Sequence, residues 1–511
     1  MASGGEQNAG GGGSRRRLRA PRGTRDLYPE DVLRRRYLTG VWRDTAIRHG
    51  FEEIDGPTFE LSELYAVKSG EGILGELFQA YSGKSPEEVE RVQKEGVAPF
   101  ALRPEFTPTG ARMYAARAAQ LGRPVRWFNI GPRYRAERPQ RGRLREFLQF
   151  DCDVIGDDGT PEGRAAADGS CVDVAVSALG SLGLSSGDAV ARYASREGLE
   201  HVLEAKLGLG PEERQAAMVL LDRRGKMSQE AFDLACAELS INAAGIDDAL
   251  GEIAHLAEGP GAAGSRSAGP GEETQSRFDF GPLRAQFEIR GISGCTALDA
   301  SIVRGLAYYT GTVFEVIAEG ERAVAGGGRY DNLVELLGGP ATPAVGFAMG
   351  DVVLSLLLED KGLMPEGREL MEAVSRPPAS VRPDLFVVSG AAKDEDGSDL
   401  DRLVTRLVAD ARRGVASGTY EHGEARPWSA ERYTVPPLHA RTSDKATRNL
   451  KKLLNDAERQ HARFAAIVHE PGKVQLKDLD RREEIELDLS VDPRSDAYVG
   501  REVATRLGRT G

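Results

Sequence analysis

Cysteine is scarce in this chain of 511 residues: there are four, at Cys152, Cys171, Cys236 and Cys295. They are widely scattered, with no C-x-x-C pair. That spacing excludes a disulfide scaffold and a zinc ribbon or finger, and buried thiols in a reducing cytosol are the expectation. Histidine is sparse too, with seven residues and no H-E-x-x-H. No apolar run is long enough to span a membrane, and no apolar segment of a secretory leader follows Met1. A cytoplasmic protein with no membrane partner is therefore expected. Basic charge is in short supply: 67 Lys and Arg stand against 79 Asp and Glu, a net charge of −12. A generic polyanion binder is excluded, so any nucleic-acid contact must come from a local basic patch.

What is there is a globular balance, 40% hydrophobic and 29% charged, over a length that suits two to four domains. Residues 1–20 are Gly-rich and then Arg-rich, and cannot bury enough apolar surface to offset their ordering entropy. Order is expected from about residue 21, where Pro29-Glu30-Asp31 opens a helix with an i, i+3, i+4 apolar pattern. The run from Phe51 to Leu61 reads as extended chain, and Pro57 assigns it to an edge or interface. From residue 160 to 275 the texture is helical and then linker-like, and residues 186–258 read as helices throughout. This divides the first domain into parts at 21–159 and 276–370. Prolines cluster near 365–383, and residues 383–507 then read as a small α/β domain beginning with the buried strand Leu385-Phe386-Val387-Val388.

The chemistry concentrates in residues 125–156. Val125 to Ile130 reads as a strand. Six arginines follow between Arg133 and Arg145. Then apolar Leu148, Phe150, Cys152 and Val154 alternate with polar Gln149, Asp151 and Asp153, so the two sets face opposite sides of a strand. Guanidinium forks match phosphate geometry, and an arginine-rich loop between strands can hold a polyphosphate beside a small polar ligand. A basic loop alone reads as a solvated one; the strict alternation beyond it lowers the weight of that reading. No other phosphate cradle competes. Gly83-Lys84-Ser85 resembles the end of a P-loop, but Phe78 stands where that motif needs glycine, and Gly326-Gly327-Gly328 lacks the dinucleotide fingerprint. Residues 304–315 put an arginine and two tyrosines ahead of another strand candidate.

In this order these stretches resemble class II aminoacyl-tRNA synthetases, and among them the histidyl-tRNA synthetase family. Arg22-Gly23-Thr24-Arg25-Asp26 with Pro29-Glu30 is similar to that family's start. Gly50 to Ile54, Pro57 and Glu63-Leu64-Tyr65 resemble motif 1. Leu102-Arg103-Pro104-Glu105 with Thr107 resembles the amino-acid-binding turn. Residues 133–156, including Glu137-Arg138-Pro139-Gln140, resemble motif 2 and its loop. Residues 304–315 resemble the histidine-specific box, Gly326 to Asp331 a further family element, and Gly346 to Gly350 the start of motif 3. Asn449 to Leu454, Ile467-Val468 and Lys477-Asp478-Leu479 resemble the C-terminal anticodon-binding domain.

The resemblance implies an α+β fold: a six-stranded antiparallel sheet with flanking helices, a helical insertion, and a C-terminal α/β anticodon-binding domain. It implies a homodimer formed through motif 1, with L-histidine, ATP and tRNA(His) as partners. ATP would carry Mg2+, held mainly by phosphates and water with a carboxylate such as Glu146, so no protein-only metal site is expected. Arg135 and Arg304 would be the catalytic charges at the α-phosphate. Glu137, Arg143 and Phe147 would hold the nucleotide with Arg135. Glu105, Thr107 and Gln149 would bind the substrate ammonium. Asp153 and Tyr309 would hydrogen-bond the imidazole, with Tyr308 and Arg304 in the same pocket.

Three positions depart from the pattern. Asp153 stands where many members carry Glu, and Ala307 where many carry Asp. Motif 3 reads Gly350-Asp351-Val352-Val353, so Val353 replaces the arginine that clamps the ATP γ-phosphate. Either Arg143, Arg329 or another basic residue supplies that charge, or ATP binding is weakened, or histidine is not activated. The alternative reading is therefore a non-charging paralogue, the histidine-sensing regulatory subunit of ATP phosphoribosyltransferase. Retained Arg135, Arg304, Tyr308 and Tyr309, and about 130 residues beyond 380, favour the enzyme. A stand-alone RNA-binding paralogue is disfavoured by Glu105 and Gln149. In the last domain, Arg441, Lys445, Arg448, Lys451, Lys452, Arg459 and Arg463 outnumber the nearby acids and read as a surface for tRNA phosphates.

Overall fold

The computed structural model describes residues 18–69, 77–224, 227–258, 279–303, 308–318, 323–391, 398–416, 433–445 and 447–509. The 1–17 part of the tail, the linker from 259, Arg304 to Ala307 and the acidic run from Lys393 lie outside the described residues.

The opening helix spans Pro29–Arg48, and strand β1 (Glu52–Glu53) follows. Three short strands, β2 (Phe59–Leu61), β3 (Gln79–Ala80) and β4 (Phe100–Leu102), form a small separate sheet in the order β2-β4-β3. Phe59 and Leu61 remain exposed on β2, in keeping with the edge role that Pro57 suggests. Strands β5 (Val125–Tyr134) and β6 (Glu146–Ile155) pair antiparallel over their whole length, from Val125 opposite Ile155 to Tyr134 opposite Glu146. The arginine-rich loop is thus the turn of a long hairpin.

The remaining strands of the first domain are β7 (Ala189–Ser195), β8 (Thr296–Leu298), β9 (Thr312–Ala318), β10 (Ala323–Arg329) and β11 (Ala344–Gly350). The sheet order is β1-β5-β6-β11-β10-β9-β7-β8. Its six central strands are antiparallel, and β1 and β8 add parallel edges. The helix Pro161–Ser181 packs beneath it with 15 buried residues. Its Ala, Gly and Ser residues let the backbone approach the sheet closely.

This corrects the boundary drawn at 160. The 161–181 helix belongs to the main core, and residues 189–195 are a strand of the central sheet rather than a helix. Helical texture is the same whether a helix sits in a core or an insertion, and β7 finds its partner, β9, more than 100 residues later. The insertion proper begins at Arg196 and runs to Glu258, around its own core of Leu203, Met218, Phe232 and Ile246.

The last domain contains β12 (Leu385–Ser389), β13 (Val415–Ala416), β14 (Tyr433–Val435), β15 (Ala440–Thr442), β16 (Phe464–Glu470), β17 (Lys473–Asp478) and β18 (Glu483–Leu489). Its main sheet has the order β15-β12-β16-β17-β18, and Leu385 to Val388 are fully buried on β12, between β15 and β16. Four of the seven basic residues counted toward a tRNA surface are engaged elsewhere. Lys445 pairs with Asp456, Arg448 with Asp401, Arg463 faces Asp384, and Arg441 donates to Gly50 O of the first domain. Lys451, Lys452 and Arg459 stay exposed.

The two domains meet on a buried carboxylate. Asp173 is fully buried, with His49 Nε2 at 3.7 Å and the guanidinium groups of Arg290 and Arg413 each at 3.5 Å. The two guanidinium groups and the hydrogen bond from His49 hold the Asp173 carboxyl far below the usual carboxylate range against the opposing effect of burial. Arg126 of β5 also reaches Asp444 of the last domain at 2.6 Å.

Candidate functional site

The site is built on the polar face of β6. Asp151 is buried and pairs with the equally buried Arg133 at 2.7 Å, and Arg133 donates to Asn129 Oδ1 at the same distance. Arg133 and Arg103 both lie over the Phe106 ring. This web fixes the turn 103–107 against the hairpin, and so fixes where Glu105 and Thr107 stand.

On one side of that turn Tyr308 donates its phenol to Glu105 Oε2 at 3.0 Å, and its ring meets the Tyr309 ring with centroids 4.9 Å apart. On the other side Gln149 is buried, and its Oε1 has no hydrogen-bond partner among the described residues. A buried carbonyl oxygen without a donor costs free energy until a ligand N–H supplies one.

Four residues beyond Gln149 on β6, Asp153 accepts a hydrogen bond from Tyr330 at 2.5 Å on Oδ1. Burial pushes the Asp153 carboxyl up to about 8, against the lowering effect of the Tyr330 phenol. Gly346 stands opposite Asp153 on β11, and a Cβ there would lie 2.0 Å from Asp153 Oδ1. The glycine is what gives the carboxylate its room.

At the other end of the hairpin the Arg135 guanidinium lies over the Phe147 ring, 5.1 Å from its centroid, and its Nε reaches Pro104 O at 3.3 Å. Arg143 is paired with Glu137. The loop is closed by backbone bonds between Gln140 and Arg143. Glu105, Tyr308 and Tyr309 are thus in contact in turn, with Thr107 on the same turn as Glu105 and with Gln149 and Asp153 on the polar face of β6, while Arg135, Glu137, Arg143 and Phe147 gather at the loop end of the hairpin. Arg304 lies outside the described residues.

Sequence reasoning missed Tyr330. The signal was present in the Gly-Gly-Gly-Arg-Tyr-Asp element, but a tyrosine after a strand says nothing about a partner 177 positions away. Arg329, offered as a substitute for the missing motif 3 arginine, is unsuited to it. It is buried and committed to Asp157, to Asp168 and, at 3.4 Å, to Asp331. Also unforeseen is a cavity of about 480 Å³ between Tyr308, Tyr309 and the start of the insertion, lined by Arg196, Glu200, Arg214 and Gln215. Among the described residues no group of three or more His, Cys, Asp or Glu is arranged to hold a metal ion. No described helix is long and apolar enough to cross a membrane.

The six central antiparallel strands and the helix beneath them define a class II aminoacyl-tRNA synthetase fold. Solved structures share it. One is described as an ATP phosphoribosyltransferase regulatory subunit/histidyl-tRNA synthetase from Bacillus halodurans, with a TM-score of 0.52, 21% identity, and coverage of 73% of this chain and 86% of that one. A histidyl-tRNA synthetase from Nostoc sp. has a TM-score of 0.50 at 20% identity, covering 96% of this chain and 99% of its own. In sequence, a histidine–tRNA ligase of Opitutus terrae is 38% identical over 346 residues, which is 67% of this chain and 75% of the relative. One from Thermococcus kodakarensis is 32% identical over 412 residues, 79% of this chain and 84% of the relative. The family model for histidyl-tRNA synthetase matches residues 23–351. The chain belongs to the histidyl-tRNA synthetase family.

Proposed function

We propose that this protein is a histidine–tRNA ligase, acting in the cytoplasm as a homodimer on L-histidine, ATP with its Mg2+, and tRNA(His). A histidine carboxylate oxygen attacks the α-phosphorus, the bond to the β-phosphate oxygen breaks, and pyrophosphate leaves. A hydroxyl of the terminal tRNA ribose then attacks the acyl carbon of the adenylate, and AMP leaves.

The observation that carries this reading is spacing on one strand. Phe147, Gln149 and Asp153 share a face of β6, and Gln149 stands roughly 7 Å from Phe147 along it at the usual rise per residue. An adenine stacked on Phe147 therefore has its α-phosphate beside Arg135 and within reach of an amino acid whose ammonium meets Glu105, Thr107 and Gln149. Arg135 stabilises the charge that builds on the α-phosphate, and Arg304 is assigned the opposite side. Glu137 and Arg143 hold the nucleotide from the loop. Asp153 and Tyr309 read the imidazole, with Tyr308 fixing Glu105. A side chain without ring nitrogens leaves these polar groups unpaired, which is how such a site rejects it.

Exchange of labelled pyrophosphate into ATP, dependent on histidine, tests the first step. Aminoacylation of tRNA(His) tests the second. Folded protein that binds histidine and shows no exchange would overturn the ligase reading and favour the histidine-sensing regulatory paralogue. That second reading draws its support from Val353 alone; the Arg135–Phe147 pair and the additional α/β domain support the ligase.

A further inference from the structure

Arg25 occupies an unusual place. The segment before it lies across the base of the motif 2 loop, where Gly23 O accepts Arg145 N–H at 2.7 Å. Gly23 has φ of +89°, and a Cβ there would lie 2.6 Å from Pro139 Cγ and 2.9 Å from Arg145 Cγ, so only glycine lets the chain lie this close. Two residues on, Arg25 Nη2 meets Asp351 Oδ2 at 2.6 Å. Asp351 is 5% exposed, and its second oxygen accepts the N–H of Leu148 at 2.9 Å. Leu148 is the neighbour of Phe147, the ring beneath Arg135. Arg25 is therefore fixed from two sides, against the base of the motif 2 loop and, through Asp351, against the start of β6 next to Phe147.

Its chemistry is left largely unspent. A guanidinium carries five N–H donors, and the Arg25 side chain is still 37% exposed. Among the described residues Asp351 is its one partner. Val353, in the same helix turn as Asp351, is uncharged and packs against the core. Arg143 is paired with Glu137, Arg141 with Asp360, and Arg329 with three carboxylates.

We propose that Arg25 grips the β- and γ-phosphates of ATP and supplies the charge that Val353 cannot. Asp351 orients the guanidinium plane in advance, so the polyphosphate meets donors that are already ordered. The same contact stabilises the negative charge that passes to pyrophosphate as it leaves. This rests on the ligase reading of the site.

The test compares ATP with AMP, which lacks both outer phosphates, by calorimetry on the full chain. Arg25→Ala should weaken ATP binding about 10- to 100-fold, the loss of one charge-assisted contact, and leave AMP binding unchanged. Arg25→Lys, which keeps the charge, should recover part of the ATP affinity. Equal weakening of ATP and AMP would mean that Arg25 only props the loop, and would overturn the proposal; so would unchanged ATP binding. Binding is measured without the reaction, so a failure of the ligase reading, seen as absent pyrophosphate exchange by the unaltered protein, stays separate.

Discussion

Tyr330 donates its phenol O–H to Asp153 Oδ1 at 2.5 Å, with both residues buried. The contact joins the end of β10 to β6 across the intervening β11, and it points one carboxyl oxygen of the pocket in a set direction. If that orientation reads the imidazole, Tyr330→Phe should raise the KM for histidine by about 10-fold, the cost of one hydrogen bond to a polar group, and leave the KM for ATP unchanged. Pyrophosphate-exchange kinetics at varied histidine and ATP check this split.

Gly346 tests the same pocket from the other strand. A methyl at this position would lie 2.0 Å from Asp153 Oδ1 and 2.9 Å from Cys152 O. Gly346→Ala should therefore displace the Asp153 carboxyl and reduce exchange activity by about 100-fold, as small misplacements of reacting groups do. Retained far-ultraviolet circular dichroism separates this outcome from unfolding; activity within threefold of the parent would show that Asp153 does not need its present position.

The raised Asp153 carboxyl makes stability depend on pH. Its folded value is about 8, well above the ordinary carboxylate value, so the folded chain holds a proton that the unfolded chain has released. Stability from this group thus falls as pH rises from about 4 to 8. Asp153→Asn should remove that loss, raising Tm at pH 8 by about 2–4 °C relative to the parent while changing it little at pH 4. Thermal melts across this range give the answer, and a constant difference at all pH values would count against the shifted carboxyl.

Asp173 is where the first and last domains are joined. Asp173→Ala strips the buried Arg290 and Arg413 of their shared carboxylate. Breaking a buried pair from one side costs about 3–5 kcal/mol, so a marked fall in Tm is expected, together with proteolytic release of the last domain. If the last domain also contacts the tRNA, as its exposed Lys451, Lys452 and Arg459 suggest, charging should fall further than pyrophosphate exchange. An equal loss of both would mean that the seam serves stability alone.

Much of the architecture was readable before any coordinates. The alternation at Leu148, Phe150, Cys152 and Val154 is the pleat of β6, and Leu385 to Val388 is a buried inner strand of the second sheet. What misled was texture without context. The 161–181 helix was assigned to an insertion because small apolar residues look alike in any helix. Only the pairing of β7 with β9 returns that segment to the core. The basic residues around 441–463 were summed as one patch, although Arg441 and Lys445 are spent on contacts that a charge count cannot see.

The amino-acid sequence alone determined the family, the hairpin that carries the chemistry, and which residue types line it, because periodicity and motif order are local properties of the chain. Tertiary structure decided the rest. It showed that Tyr330 holds Asp153, that Arg329 is locked among three carboxylates, and that Arg25 stands with Asp351 against the start of β6. Those pairings bring together groups up to 326 positions apart, and no local pattern encodes which distant partner a buried charge will meet.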